Sequence, residues 1–401
     1  MLINRAYKYE LKPNNKQQTY LFQHAGTARF AYNWGLAERI RLYSDTGKSP
    51  NAIEQHRTLT KLKKTRFPWM YEVSKCAPQE ALRDLDQAYK NFFRRVKNSA
   101  KQKGFPKFKK RGAHDSFRLH GTIRIVGHSI QLPRLGRIRL KEKRETYYDG
   151  RILSATVSRK ADRWFVSICV EQEIENPTPS LGEPVGVDLG IKTLATFSNG
   201  FVVDNPRALQ SRSRKIRKLQ KRLARQKKGS KNWVKTKLRI AKLYWRVSNI
   251  RKNVLHKATT HLAKNHPTII IEDLNVSGMV KNRKLSRAIS DVGFGTFRTM
   301  LEYKTQWYGS KLIVADRFYP SSKRCSGCGE TKDILLSERV YHCPSCGLVL
   351  DRDLNAARNL VAISSMETLN ACGEDVRHDT VVMQTSMNQE LNVIQGSVLD
   401  E

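Results

Sequence analysis

Residues 325–360 read CSGCGETKDILLSERVYHCPSCGLVLDRDLNAARNL, and this stretch decides how the rest of the chain is interpreted. It contains two Cys-x-x-Cys pairs, each followed by a glycine: Cys325 with Cys328, and Cys343 with Cys346. Four thiolates in two such pairs satisfy the tetrahedral coordination of a structural zinc ion. Four ordinary buried thiols or two disulfides are the alternative. A closed four-cysteine site leaves no coordination position for a substrate, so we expect the chemistry to lie elsewhere.

The net charge points to a polyanionic partner. The 401 residues include 74 Lys and Arg against 36 Asp and Glu, a formal charge of +38. An excess of this size favours nucleic acid as the counter-charge. The sequence has no run of about 18 apolar residues, and its N-terminus lacks the apolar core of a signal peptide. We therefore expect a cytoplasmic protein without membrane association, built from several domains.

In the N-terminal half, the spacing of apolar residues changes from that of a strand to that of helices and back to that of strands. Polar and apolar residues alternate from Arg5 to Leu11, which predicts a strand, and apolar residues recur every three or four positions from about Lys16 to Val96, which predicts helices. Short alternating segments between glycines then predict a β-barrel or sheet over 115–180. If the opening strand joins that sheet, the helical region is an insertion within a β domain.

Two strongly basic regions are candidate nucleic-acid surfaces. Around residues 97–111 basic groups alternate with aromatic rings, a composition suited to phosphates and bases, although a solvated linker is the alternative. Between Asn205 and Ile271 there is no acidic residue, and 207–252 is predicted to form a basic helical hairpin. The candidate contacts are Lys103, Phe105, Lys107, Lys109, Lys110, Arg214, Arg217, Lys218, Lys221, Arg222 and Arg225.

Carboxylates at the ends of apolar strands form the third signal. Asp188 follows the apolar run PVGV, and Glu272, with Asp273 beside it, follows PTIII. A helix with a small-residue face opens with a further pair, Asp351 and Asp353, of which we favour Asp353. Three converging carboxylates in a basic protein suit a nuclease that uses magnesium or manganese ions. Residues adjacent in a strand point to opposite faces, so only one of Glu272 and Asp273 can share a site with Asp188.

Taken together, these segments resemble the TnpB (OrfB) family of transposon-encoded RNA-guided nucleases, relatives of type V CRISPR effectors. The resemblance rests on GVDLGIKTLA, IIIEDLNVSGM, the CSGCG and CPSCG pairs and DRDLNAARNL, with YKNFFRRVK, KGFPKFKKR and SDVGFGTFRTMLEYK in support.

The resemblance implies an α+β multidomain fold, an RNase H-like RuvC nuclease domain with an inserted zinc ribbon plus a β-barrel wedge domain with an inserted helical recognition domain. The wedge domain is expected at 1–15 and 115–180, and the recognition domain at 16–114. The RuvC-like domain is expected at 181–318 and 347–375, with the ribbon at 319–346. An acidic tail at 376–401 is expected to be disordered.

The resemblance also implies an activity and its residues. The catalytic triad falls on Asp188, Glu272 and Asp353, and an intact set favours cleavage of double-stranded DNA over the role of a nuclease-inactive regulator or an unguided transposase. The expected partners are a transposon-end guide RNA and its target DNA, with the protein a monomer in the RNA complex. Lys75 and Gln79 lie where family members contact the short DNA motif beside the target.

Overall fold

The computed structural model describes residues 1–98, 103–142, 149–335 and 337–370, with the side chains of the last helix described up to Ser364. The predicted tail at 376–401, and the end of the predicted RuvC-like domain at 375, lie outside the described residues. Helices and strands alternate in a mixed α/β arrangement built on two larger sheets.

The N-terminal region begins with strand β1 (Leu2–Lys12) and continues as helices α1 (Asn15–Thr46), α2 (Ala52–Thr65) and α3 (Cys76–Lys97). A 3-10 turn at Pro68–Glu72 joins the last two. Asn14 and Gln17 form a capping box at the start of α1, because the side chain of each accepts the backbone N–H of the other. The helix ends at Gly47, whose left-handed backbone (φ 68°) a glycine adopts without strain.

Strand β1 lies inside a seven-stranded antiparallel sheet. The other strands are β2 (Ser116–Leu119), β3 (Arg124–Val126), β4 (Ser129–Leu132), β5 (Gly136–Leu140), β6 (Arg151–Lys160) and β7 (Arg163–Glu173), and the spatial order is β2-β6-β7-β1-β5-β4-β3. β1 pairs with β7 along nearly its whole length and with β5 at its end. The opening strand therefore joins the sheet as predicted, with three helices between β1 and β2 in the chain. Within the described residues the end strands β2 and β3 do not pair, so closure into a barrel stays a prediction.

The second sheet has five strands in the order β10-β9-β8-β11-β12. They are β8 (Val185–Asp188), β9 (Thr193–Phe197), β10 (Val202–Asp204), β11 (Thr268–Glu272) and β12 (Lys311–Ala315). The first three form an antiparallel meander, whereas β11 runs parallel to both β8 and β12. The carboxyl ends of β8 and β11 therefore meet at one edge.

Helices cover both faces of this sheet. Val187 and Ile271 point to the face that packs on α5 (Lys231–Asn265) and α8 (Phe294–Tyr308). Ile270 points to the opposite face, where Leu360 of helix α9 (Arg352–Asn370) covers it. The short helices α6 (Val276–Val280) and α7 (Ser286–Val292) precede α8, and α4 (Ser213–Ala224) precedes α5.

The cysteine region is a small separate hairpin between β12 and α9. Its strands β13 (Val340–His342) and β14 (Val349–Asp351) pair with each other, and the second Cys-x-x-Cys pair lies in the connection between them. The hairpin thus continues to Asp351, beyond the predicted ribbon boundary at 346. Across the part of the chain that the structure describes, no helix is both long and apolar enough to cross a bilayer.

Candidate metal centres and nucleic-acid surface

Asp188 and Glu272 lie at the carboxyl ends of two neighbouring parallel strands. The register pairs Gly186 with Ile270 and Val187 with Ile271, so the next pair in line is Asp188 with Glu272. Side chains alternate along a strand, which places both carboxylates on the face of Ile270, the face that α9 covers. The sheet therefore brings together two acidic residues that are more than eighty positions apart in the sequence.

Helix α9 crosses this face closely enough to add a third carboxylate. A Cβ atom built on Gly186 would lie 2.0 Å from the carbonyl oxygen of Ala357, so only glycine fits at the crossing point. Ala357 and Leu360 pack on the sheet and are buried, and Ala356 on the same helix is buried as well. The close approach brings the first turn of α9, which carries Asp353, to the ends of β8 and β11.

The neighbouring acids have other partners. Asp351 caps α9, because its Oδ1 accepts the backbone N–H groups of Asp353 (2.9 Å) and Leu354 (3.2 Å). Asp273 forms ion pairs with Arg317 and with Arg298, the latter at 2.7 Å, and these two guanidinium groups lower its pKa. The charges of Glu272 and Asp353 raise the pKa of Asp188 more than that of Asp351 does, which favours these two acids as its neighbours, while their catalytic roles stay predictions.

The electrostatics of the three carboxylates favour a bound cation. Burial raises the pKa of Asp188 well above its usual range, and the nearby carboxylates of Glu272 and Asp353 raise it further. Burial and then Asp351 raise the pKa of Asp353. A divalent ion would relieve this repulsion, and oxygen donors are what magnesium and manganese prefer. The residues present therefore fit such an ion.

The four cysteines converge to a tetrahedral arrangement. Their sulfur atoms all lie within 4.8 Å of one another, with Cys325 Sγ 3.6 Å from Cys346 Sγ and Cys328 Sγ 3.5 Å from Cys343 Sγ. Four sulfurs at a zinc–sulfur distance of about 2.3 Å would lie about 3.8 Å apart. Backbone N–H groups of Cys346 and then Ser345 lower the pKa of the Cys343 thiol, whereas hydrogen bonds with the neighbouring thiols raise that of Cys328. The geometry fits zinc, and all four cysteines are free of disulfides.

Sequence reasoning missed two residues at the carboxylate edge. Gly186 had a signal, since a glycine inside an apolar strand marks close backbone approach. Ser321, whose hydroxyl donates to Glu272 Oε1, lies in a loop without a recognisable motif. Beside Glu272 a cleft of about 170 Å³ opens between the ends of β11 and β12, lined by Asp316, Arg317 and Tyr319 among others.

Most of the predicted nucleic-acid contacts are exposed. On α4 the buried residue is Ile216, and the six candidates on α4 and just after it face solvent: Arg214, Arg217, Lys218, Lys221, Arg222 and Arg225. Lys103, Phe105, Lys107 and Lys110 are also exposed, as is Lys75, whereas Gln79 is half-buried. Lys109 instead turns inward, with its ammonium 4.0 Å from the centre of the Tyr32 ring, so it anchors its segment to α1.

A cluster of lysines between the two sheets also escaped sequence reasoning. Burial, followed by the charges of Lys252 and Lys160, lowers the pKa of Lys8 to about 8. Lys160 also lines a cavity of about 190 Å³ with Arg163, Lys242 and Arg246. These residues come from β1, the β6–β7 turn and α5, so no local pattern could have grouped them. Asp162 also lines this cavity and pairs with Lys242 at 2.6 Å, so it balances part of the positive charge.

The fold is similar to that of a solved Cas12f1 protein chain. Aligned with the protein chain in the "Cryo-EM structure of the Cas12f1-sgRNA-target DNA complex", the chain gives a TM-score of 0.55 at 13% identity, covering 90% of this chain and 99% of that one. At this identity the likeness concerns the fold alone. The architecture is thus a mixed α/β fold shared with that effector.

Sequence comparisons identify the family. Family models match at residues 167–283 ("Probable transposase", OrfB of IS605), 294–360 ("Cas12f1-like, TNB domain") and 1–48 ("Helix-turn-helix domain"), the last spanning β1 and α1. A Streptomyces pristinaespiralis protein named "Putative RNA-guided DNA endonuclease" is 35% identical over 94% of this chain and 92% of its own length. The Escherichia coli K12 protein "Putative RNA-guided DNA endonuclease InsQ" is 34% identical over 93% and 95%. The chain belongs to the TnpB (OrfB) family, as the sequence motifs predicted.

Proposed function

We propose that this protein is an RNA-guided endonuclease that cuts double-stranded DNA. The observation that carries the proposal is the grouping of Asp188, Glu272 and Asp353 at one sheet edge in a protein of net charge +38. The names of its relatives support the same activity. The partner is a structured RNA from the transposon end, and base pairing between this RNA and the target strand supplies sequence specificity.

The proposed domains follow the two sheets. Residues 181–318 and 347–375 form an RuvC-like nuclease domain, which the strand order β10-β9-β8-β11-β12 supports. The seven-stranded sheet of 1–15 and 115–180 serves as the wedge domain, and 16–114 as the recognition domain that reads the short DNA motif through residues such as Lys75 and Gln79. The protein acts as a monomer in the RNA complex.

The cysteine site and the carboxylate site have different roles, one structural and one catalytic. The four cysteines would hold zinc as a structural ion, because a closed tetrahedral set has no open position. Magnesium or manganese ions at the carboxylate edge would supply an activated water and stabilise the leaving oxygen of the phosphodiester. Asp188, Glu272 and Asp353 would hold these ions through their carboxylate oxygens.

The basic surface of α4 binds the RNA or the RNA–DNA heteroduplex through phosphates. Replacing Arg217 and Lys221, both exposed, with alanine should weaken RNA binding and flatten its salt dependence. The expected change in slope is roughly 0.7 per lost contact on a single strand and 0.9 on a duplex. Unchanged slope and affinity in a filter-binding titration would remove α4 from the interface.

The decisive experiment begins with the RNA that copurifies with the full-length protein. Sequencing it gives the guide, and a supercoiled plasmid carrying the matching target is then incubated with the complex and magnesium. Linear plasmid that requires both the RNA and the match supports the proposal. Binding without nicking would indicate a nuclease-inactive regulator. Cutting that survives removal of the RNA would indicate an unguided transposase.

A further inference from the structure

A buried set of hydrogen bonds connects the first cysteine pair to the end of β11. Asn355 and Asn359 lie one turn apart on α9, and both side chains are buried. Asn359 Nδ2 donates to the backbone carbonyls of Ser321 (2.7 Å) and Arg324 (2.6 Å). Asn355 Nδ2 donates to the same Arg324 carbonyl (2.7 Å), and its Oδ1 accepts the backbone N–H of Ser326 (2.9 Å). We call these two asparagines and loop 321–326 the ribbon clamp.

One end of the ribbon clamp is a zinc-type ligand and the other contacts the carboxylate site. Cys325 follows Arg324 directly, so the clamped carbonyl belongs to the peptide bond that leads into the first cysteine. At the other end Ser321 is buried, 3% exposed, and its hydroxyl donates to Glu272 Oε1. A single six-residue loop therefore touches both candidate metal sites.

The hydrogen bonds of the clamp depend on one loop conformation. A buried side-chain amide is costly unless its donors and acceptor are satisfied, so Asn355 and Asn359 hold the loop only while its carbonyls face α9. Cys325 fixes the far end of the loop, and a cysteine ligand is held in place by the ion it binds. Loss of that ion would free Cys325, and the loop would no longer present the Ser321 hydroxyl to Glu272.

Building on the proposed nuclease function, we propose that Ser321 and Asn359 are positioning residues that make divalent-ion binding at Glu272 depend on zinc in the ribbon. Ser321 orients one oxygen of Glu272 and leaves the other free for the ion. Asn359 holds Ser321 in place from α9, the helix that also carries Asp353.

The first test measures Mn²⁺ binding to the full-length protein by electron paramagnetic resonance, with Asp188→Ala as the background for unspecific binding. Ser321→Ala should weaken Mn²⁺ binding about tenfold, the scale of one lost hydrogen bond to a charged group. Ser326→Ala is the matched control, because the clamp uses its backbone N–H and not its hydroxyl. A merely structural serine would lower the melting temperature without changing Mn²⁺ affinity. Equal affinities in Ser321→Ala and Ser326→Ala overturn the proposal.

The second test asks whether zinc acts through Ser321. Cys346→Ser, which removes a zinc ligand, should weaken Mn²⁺ binding by a factor similar to Ser321→Ala. The double variant should be no weaker than Cys346→Ser alone, because both changes break the same connection. If the two decreases in Mn²⁺ affinity multiply in the double variant, the ribbon affects the carboxylates independently of Ser321. That result would contradict the proposal. If Cys346→Ser does not fold, the comparison of Ser321→Ala with Ser326→Ala decides alone.

Mn²⁺ affinity also separates this proposal from the proposed function. A wild-type complex that fails to cut its matched plasmid, yet binds Mn²⁺ in a Ser321-dependent way, would overturn the function and support the clamp. If the complex cuts its matched plasmid but Ser321→Ala leaves Mn²⁺ affinity unchanged, the proposed function is supported and the clamp proposal is overturned.

Discussion

The cysteine site and the carboxylate site share one loop, but their ligands come from different parts of the chain. The four sulfurs already lie within 4.8 Å of one another. Among the described residues, no three carboxylates gather as tightly, and the charges of Glu272 and Asp353 raise the pKa of Asp188. The four thiols come from two short loops of one hairpin region. The carboxylates come from three distant elements, and the repulsion between like charges favours a bound cation.

The largest effect should come from removing the carboxylate at the end of β8. Asp188→Ala should lower RNA-guided plasmid cleavage by at least about a thousandfold, because the metal site loses its central ligand, while RNA binding stays unchanged. Asp273→Asn is the control, since Asp273 pairs with arginines and should keep cleavage within a few-fold. Retained cleavage in Asp188→Ala would remove the carboxylates from the reaction.

Loss of the four-cysteine site should lower the stability of the protein, because its zinc ion is structural. Cys343→Ser should abolish bound zinc, measured by inductively coupled plasma mass spectrometry, and lower the melting temperature by roughly 5–10 °C. Cys169→Ser, outside the cluster, should keep both values. Unchanged zinc content in Cys343→Ser would refute the four-cysteine site.

Lys304 is a buried cation whose hydrogen-bond partners are all neutral groups. Its ammonium donates to the His256 carbonyl (2.9 Å), Thr259 Oγ1 (2.7 Å) and Thr260 Oγ1 (2.8 Å), yet burial lowers its pKa from 10.5 to about 8. Between these two values the unfolded chain binds more protons than the folded one, so stability rises with pH. Relative to Lys304→Met, the wild type should gain up to about 1.4 kcal/mol per pH unit above pH 8 in urea unfolding. A pH-independent difference would contradict the assigned pKa.

The smallest change in stability should come from the two acids that open α9. Asp351→Ala removes a helix cap and should cost about 1 kcal/mol of stability while leaving most of the cleavage activity. Asp353→Ala should do the opposite, with little loss of stability and no cleavage. Urea unfolding and plasmid cleavage of the two variants measure both outcomes, and a reversed pattern would assign the site to Asp351.

Much of this protein follows from short-range patterns. The Cys-x-x-Cys pairs, the alternation that makes β1 a strand and the small-residue face of α9 were all readable, because each depends on residues a few positions apart. The same patterns could not distinguish an exposed lysine from one that packs inward. Lys109 lies among exposed lysines in the sequence, but its side chain packs on the Tyr32 ring.

The sequence by itself determined which groups could bind metals and that a +38 chain needs a polyanion. Tertiary structure decided which acids share a face, because the β8–β11 register aligns Asp188 with Glu272 and the contact at Gly186 sets the position of α9. It also decided that Ser321 contacts Glu272 and that Lys8, Lys160 and Lys252 form one cluster. Contacts between elements far apart in the chain depend on register and crossing geometry, which no local pattern specifies.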